Sequence, residues 1–154
     1  MTAADTTAIT ELDEMGPVDY LVIEFPDAGL RGEAMPLLLD LVDRGVIRII
    51  DLEFISRDTD GAVVRLAVED LGADGDPTLS LFVGASSGLL AGDDLEEAAG
   101  VLEPGTTAAI LVYENLWAAP LARAVRRTGA QFVAGGRIPV QALLAALDAA
   151  ESAD

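Results

Sequence analysis

The stretch Val46-Ile47-Arg48-Ile49-Ile50-Asp51-Leu52-Glu53-Phe54-Ile55-Ser56-Arg57, with the turn Asp58-Thr59-Asp60-Gly61 and the return Val63-Val64-Arg65-Leu66-Ala67-Val68-Glu69, decides the fold class. Both arms are rich in β-branched residues, and the second half of the first arm alternates. Leu52 and Phe54 fall on one side, and Asp51, Glu53 and Ile55 on the other, as in a half-buried strand. In the return, Val64, Leu66 and Val68 alternate against Val63, Arg65 and Ala67. Asp60-Gly61 supplies the residue types of a tight turn, glycine standing where positive φ is wanted. Strands joined this closely are antiparallel, whereas a doubly wound parallel sheet needs a crossover at this point.

Upstream, Val18 to Phe25 is short, β-branched and aromatic. Its near-continuous apolar run predicts a central strand covered on at least one face. Gly32 to Arg44 reads as a helix with Leu37, Leu38, Leu41 and Val42 on its buried face and Gly45 as its stop. Downstream, Asp70 to Pro77 is a polar loop, and Thr78 to Ala91 is a helix candidate weakened by Ser86-Ser87-Gly88. Asp93-Asp94 open a short helix with Leu95, Ala98, Ala99 and Leu102 on one face, and Pro104-Gly105 stop it. Thr106 to Glu114 is a strand, Leu116 to Arg127 a helix, Ala130 to Ile138 a fifth strand shortened by Gly135-Gly136, and Pro139 to Ala150 a last helix.

This order predicts an α+β fold: a ferredoxin-like βαββαβ core extended by a C-terminal α-β-α, with helices over one face of a mainly antiparallel sheet. Residues 1–16 read as a flexible N-terminal arm, and 17–151 as a single domain.

The 154 residues suffice for a real core, and an apolar fraction of 51% fits a globular chain. Asp and Glu number 27 against 9 basic residues, every one an Arg, giving a net charge of −18. Such a charge repels phosphate backbones and anionic lipid heads, so nucleic acid is excluded as a partner and membrane contact is not expected. It favours solubility, cation attraction and docking to a basic partner. There is no Cys and no His, which excludes disulfides, thiolate nucleophiles, Cys/His zinc sites and every imidazole-based dyad or triad. The first 16 residues lack the positive start and apolar stretch of a secretory signal, and nothing reaches the length of a membrane span. A cytoplasmic protein is expected.

Gly84, Gly88 and Gly92 stand four apart. On a helix they form a smooth stripe for close approach of another backbone, at about 1 kcal/mol per glycine against alanine. Off a helix they are a glycine-rich connection. Neither these nor Gly135-Gly136 match a dinucleotide or phosphate loop. The acidic groups Asp58/Asp60 and Asp70/Asp74/Asp76 lack the ordered spacing of a calcium loop, and no metal or cofactor is expected. Asp19, Glu24 and Asp51 interrupt apolar strands. Each is either a buried acid with a raised pKa or a solvent-facing residue on a half-exposed sheet, and the second reading is the simpler. Tyr113 and Trp117 flank Glu114-Asn115 at a strand-to-helix corner, where they line a pocket or an interface or, the simpler reading, pack in the core; a deep pocket containing Tyr113, Trp117 or Gly135 would favour ligand sensing.

Taken together, these segments resemble the bacterial DUF6325 and DUF1269 families of unknown function. The likeness lies in Val18-Asp19-Tyr20-Leu21-Val22-Ile23, in Ile50-Asp51-Leu52, in the Asp60-Gly61 turn, and in Leu102-Glu103-Pro104-Gly105-Thr106-Thr107-Ala108-Ala109-Ile110. Glu114-Asn115-Leu116-Trp117 and Gly136-Arg137-Ile138-Pro139 add to it. The resemblance implies a ferredoxin-like fold and no established activity. DUF1269 relatives carry a long glycine-spaced, membrane-like hairpin where Gly84 to Gly92 lies here, but this segment is too short to span.

The residues therefore predict a non-catalytic interaction or self-assembly module, a homo-oligomer or a docking partner of another protein. Gly84, Gly88, Gly92, Tyr113 and Trp117 are its candidate contact residues. The alternative is a regulatory domain sensing a small molecule at a subunit boundary. A carboxylate-dependent enzyme is the third reading, one that two buried acids facing a cleft would favour.

Overall fold

The computed structural model describes residues 14–25, 34–68, 81–82 and 84–152. In chain order the elements are β1 (Val18–Phe25), α1 (Ala34–Asp43), β2 (Ile47–Arg57), β3 (Val63–Leu66), α2 (Gly92–Ala99), β4 (Thr107–Asn115), a 3-10 turn (Leu116–Ala118), α3 (Ala119–Arg127) and α4 (Val140–Ser152). The chain divides into two compact units, Met1–Ala124 and Val125–Asp154. The arm at 1–13, the turn after Phe25 and the polar loop at 70–77 lie outside the described residues, as do the first part of the Thr78–Ala91 segment and Val83.

The result is a mixed α/β fold around a four-stranded antiparallel sheet in the order β1-β4-β2-β3. The hairpin forms as expected: Phe54 pairs with Leu66 and Arg57 with Val63. The Asp58 carboxylate closes the turn by accepting the backbone N–H of Asp60 and Ala62. β4, almost wholly buried, is the central strand between β1 and β2. β1 is an edge strand, contrary to the central position that its apolar run suggests. Val18, Tyr20 and Ile23 stand exposed on it, so its apolar residues are not all core residues.

Alternation along β4 divides the core in two. Ala109 and Leu111 join Leu52, Phe54, Met35, Val68 and Phe82 on one face, and Ala108 and Ile110 join Ile55, Leu95, Ala99 and Leu102 on the other. Helices α1 and α2 therefore cover opposite faces, not one face as the element order suggests. On α1 the buried contacts come from Met35, Leu38 and Leu39, while Leu37 is exposed. Phe54, fully buried in the central layer, contributes about 2–3 kcal/mol by leaving water.

Each βαβ crossover spans an intervening strand: β1 and β2 flank β4, and β3 and β4 flank β2. The fourth strand, and not the hairpin's return strand, lies between β1 and β2. The expected fifth strand is absent: residues 130–139 carry no regular secondary structure. Gly135-Gly136 weakens any strand there, having no side chains to pack. In the second unit, α4 forms as expected, and none of its residues is buried.

Candidate functional site

Strand β2 carries a bulge, its register against β4 shifting between Ile49 and Asp51. The extra residue re-aims the side chains on its C-terminal side. Ile49 packs with the α1-side core, whereas Asp51 sits opposite Val112 on the α2 side. Asp51 and Glu53 thus enter the interior side by side, at 0% and 2% exposure.

Both acids hold one segment. β3 covers β2 only from Phe54 to Arg57, and beyond it the chain at 84–90 runs along β2. Leu52 donates its N–H to the Ala85 carbonyl at 3.1 Å. Asp51 accepts the N–H of Ser87 at 2.8 Å and of Leu90 at 3.0 Å. Glu53 accepts the Ser86 hydroxyl at 2.5 Å and faces the Arg65 guanidinium at 3.5 Å. Among the described residues no buried polar side-chain atom lacks a partner. Along this segment the chain passes from one face of the sheet to the other, since Phe82 and Ala85 pack on the α1 side and Leu90 on the α2 side.

The two carboxyls titrate in opposite directions. Burial raises the Asp51 pKa, but the Ser87 and Leu90 N–H groups outweigh it and hold the carboxyl below its usual value. Burial pushes Glu53 up, and the neighbouring Asp51 charge adds to this against the Ser86 hydroxyl and Arg65. Glu53, Arg65, Ser86 and Gly84 border a cavity of about 360 Å³. Asp51 is not among its lining residues, and its oxygens are occupied by backbone. The pair therefore anchors a chain segment; two acids facing one cleft is not the arrangement found. Of the acids that interrupt the strands, Asp19 and Glu24 are exposed, matching the simpler reading, while Asp51 is buried, against it. Sequence reasoning did not single out Glu53 and Glu114 as buried acids.

The glycines do not form a helical stripe. Gly84 and Gly88 have φ of +96° and +79°, left-handed values that break a helix, and Gly92 begins α2. Of the two readings of this segment, the connection is the one found. Tyr113 is half-buried against the α1-side core. Trp117 is 67% exposed, its indole N–H held by the Asn115 side chain at 3.1 Å. Asn115 in turn donates to the Pro17 carbonyl and the Asp19 carboxylate. The corner thus fixes an outward-facing tryptophan and does not bury it.

A second concavity, of about 410 Å³, lies on the α2 side and is floored by Tyr20, Val22, Ile110 and Val112 with Ala98 and Val101 beside them. Asp94 and Glu97 form its rim. Tyr20 and Val101 are 72% and 77% exposed.

A family model described as a family of unknown function, DUF6325, matches residues 14–153. The chain belongs to the DUF6325 family. The match reaches into both units and contains every element from β1 to α4. No curated protein and no solved structure matches this DUF6325 chain. No helix among its described residues is long and apolar enough to cross a membrane.

Proposed function

We propose that this DUF6325 chain is a non-catalytic interaction module that associates with copies of itself in the cytoplasm. The supporting observation is the exposure of large apolar side chains: Tyr20 and Val101 lining the apolar groove, and Trp117 pinned outward by Asn115. Covering such surface is favourable at about 25 cal/mol per Å² of apolar area. The anchoring of Ser86, Ser87 and Leu90 by Asp51 and Glu53, with Arg65 beside Glu53, supports a structural role for the two acids over a catalytic one. Neither the Glu53 cavity nor the α2-side groove is lined by Tyr113, Trp117 or Gly135, so neither of these two supports ligand sensing at those residues. The two split crossovers relate the sheet to ferredoxin-like folds with its strand positions exchanged, and kinship with DUF1269 is part of the same proposal.

Analytical ultracentrifugation of the full chain over a wide concentration range tests the assembly. Reversible association is expected. A strict monomer at the highest attainable concentration removes the proposal.

A further inference from the structure

The apolar groove and the outer face of α3 are complementary in polarity and in charge. From Trp117 through α3, the residues Trp117, Leu121 and Ala124 recur at four and three positions and all stand exposed, forming one apolar stripe. Arg123 and Arg127, four apart, follow one flank of that stripe by the same helical spacing. Helix α3 holds three of the chain's nine basic residues, in a molecule of net charge −18. The groove presents the converse: an apolar floor of Tyr20, Ile110 and Val112, and two acids, Asp94 and Glu97, three apart along one wall.

We infer that the groove between β1 and α2 of one copy receives the Trp117–Leu121 face of α3 from a second copy. Asp94 and Glu97 then lie against Arg123 and Arg127. The inference rests on the proposed self-association and names its surfaces. A basic amphipathic helix is what the groove selects, and this chain displays one of its own. Helix α4 does not fit as occupant, because its charged residues, Asp148 and Glu151, would meet an acidic rim. The overall like charge of two copies is screened beyond about 8–10 Å at physiological salt, while pairs in contact are screened much less. The joined patches differ, so the contact is heterologous.

The test compares Glu97→Arg, Arg123→Glu and the double variant carrying both changes on one chain, each measured by sedimentation. Glu97 is exposed and Arg123 half-exposed, and retention of the wild-type melting temperature verifies folding. Each single reversal is expected to weaken association about tenfold or more, and the double variant to regain most of it, as charge pairs in contact do. Three variants that associate like the wild type overturn the assignment of these surfaces while leaving self-association intact. A double variant no better than the singles also overturns it. A monomeric wild type removes both this inference and the reading beneath it.

Discussion

Ser87 donates its backbone N–H to the Asp51 carboxylate at 2.8 Å across 36 residues of sequence. Asp51 takes Leu90 N–H with its other oxygen, so one fully buried side chain satisfies two backbone donors of the segment that passes the sheet. Asp51→Ala leaves both donors without their acceptor beside the core and opens a cavity where the fully buried side chain stood. A loss of about 2–4 kcal/mol is expected in urea or thermal unfolding. Amide exchange at Ser87 and Leu90 should speed up more than in the β2–β4 ladder. Unchanged protection at those two amides would contradict the anchoring role.

The opposite titrations of the acid pair give a definite pH profile. The folded pKa of Glu53 is raised, so its contribution is fully present below the unfolded value and is lost as pH rises through the folded one. The folded pKa of Asp51 is lowered, so its contribution is present above the unfolded value and is lost as pH falls through the folded one. Between the two, in mildly acidic solution, both contributions hold. Glu53→Gln keeps an acceptor for Ser86 without the buried charge. It should raise the melting temperature at neutral pH and flatten the decline on the alkaline side. A variant whose profile parallels the wild type throughout would show that Glu53 does not carry this dependence.

Gly16 and Gly92 make a matched pair of alanine tests. A Cβ at Gly16 collides with the Asn115 carbonyl, in the place where the Gly16 N–H meets Glu114. Gly16→Ala should destabilise by about 1–3 kcal/mol. Gly92 has open space around it and begins a helix, so Gly92→Ala should be neutral or stabilise by up to about 1 kcal/mol. Denaturant midpoints distinguish the two directly. Loss of self-association in Gly92→Ala, with folding intact, would return that glycine to the contact surface.

Gly88→Ala forces a side chain into left-handed backbone and should lower stability by about 1–2 kcal/mol although the added methyl meets nothing. The expected signature is a shift of the midpoint without new heterogeneity. An unshifted midpoint would mean that the segment relaxes out of that conformation freely.

The hairpin was legible because its information is local: Asp58 and Gly61 close the turn, and alternation sets the faces. Helix α2 was legible for the same reason, its Leu95 and Ala99 lying at helical spacing, although it ends at Ala99, before Leu102. Nothing local says which strand enters between β1 and β2, so an order of elements familiar from ferredoxin-like folds did not fix the sheet. Tyr20 and Val18 give β1 the composition of a buried strand, although both are exposed at the sheet's edge. The glycines at 84 and 88 look helical by spacing alone, and positive φ leaves no mark in spacing. Asp51 and Glu53 were placed correctly on one face, but their burial depends on Ser86 and Ser87, more than 30 residues away, and on a bulge with no sequence signature.

The crossing segment has one more effect. Because residues 85–90 lie where a strand would otherwise lengthen the β3 side, that rim is stepped and short, while the eight residues of β1 form the other end of the sheet. Edge-to-edge growth needs two matching rims, one to accept and one to pass the pairing on. Among the described residues the two rims do not match: a strand that pairs along all eight residues of β1 finds only four on β3 to pair with in turn.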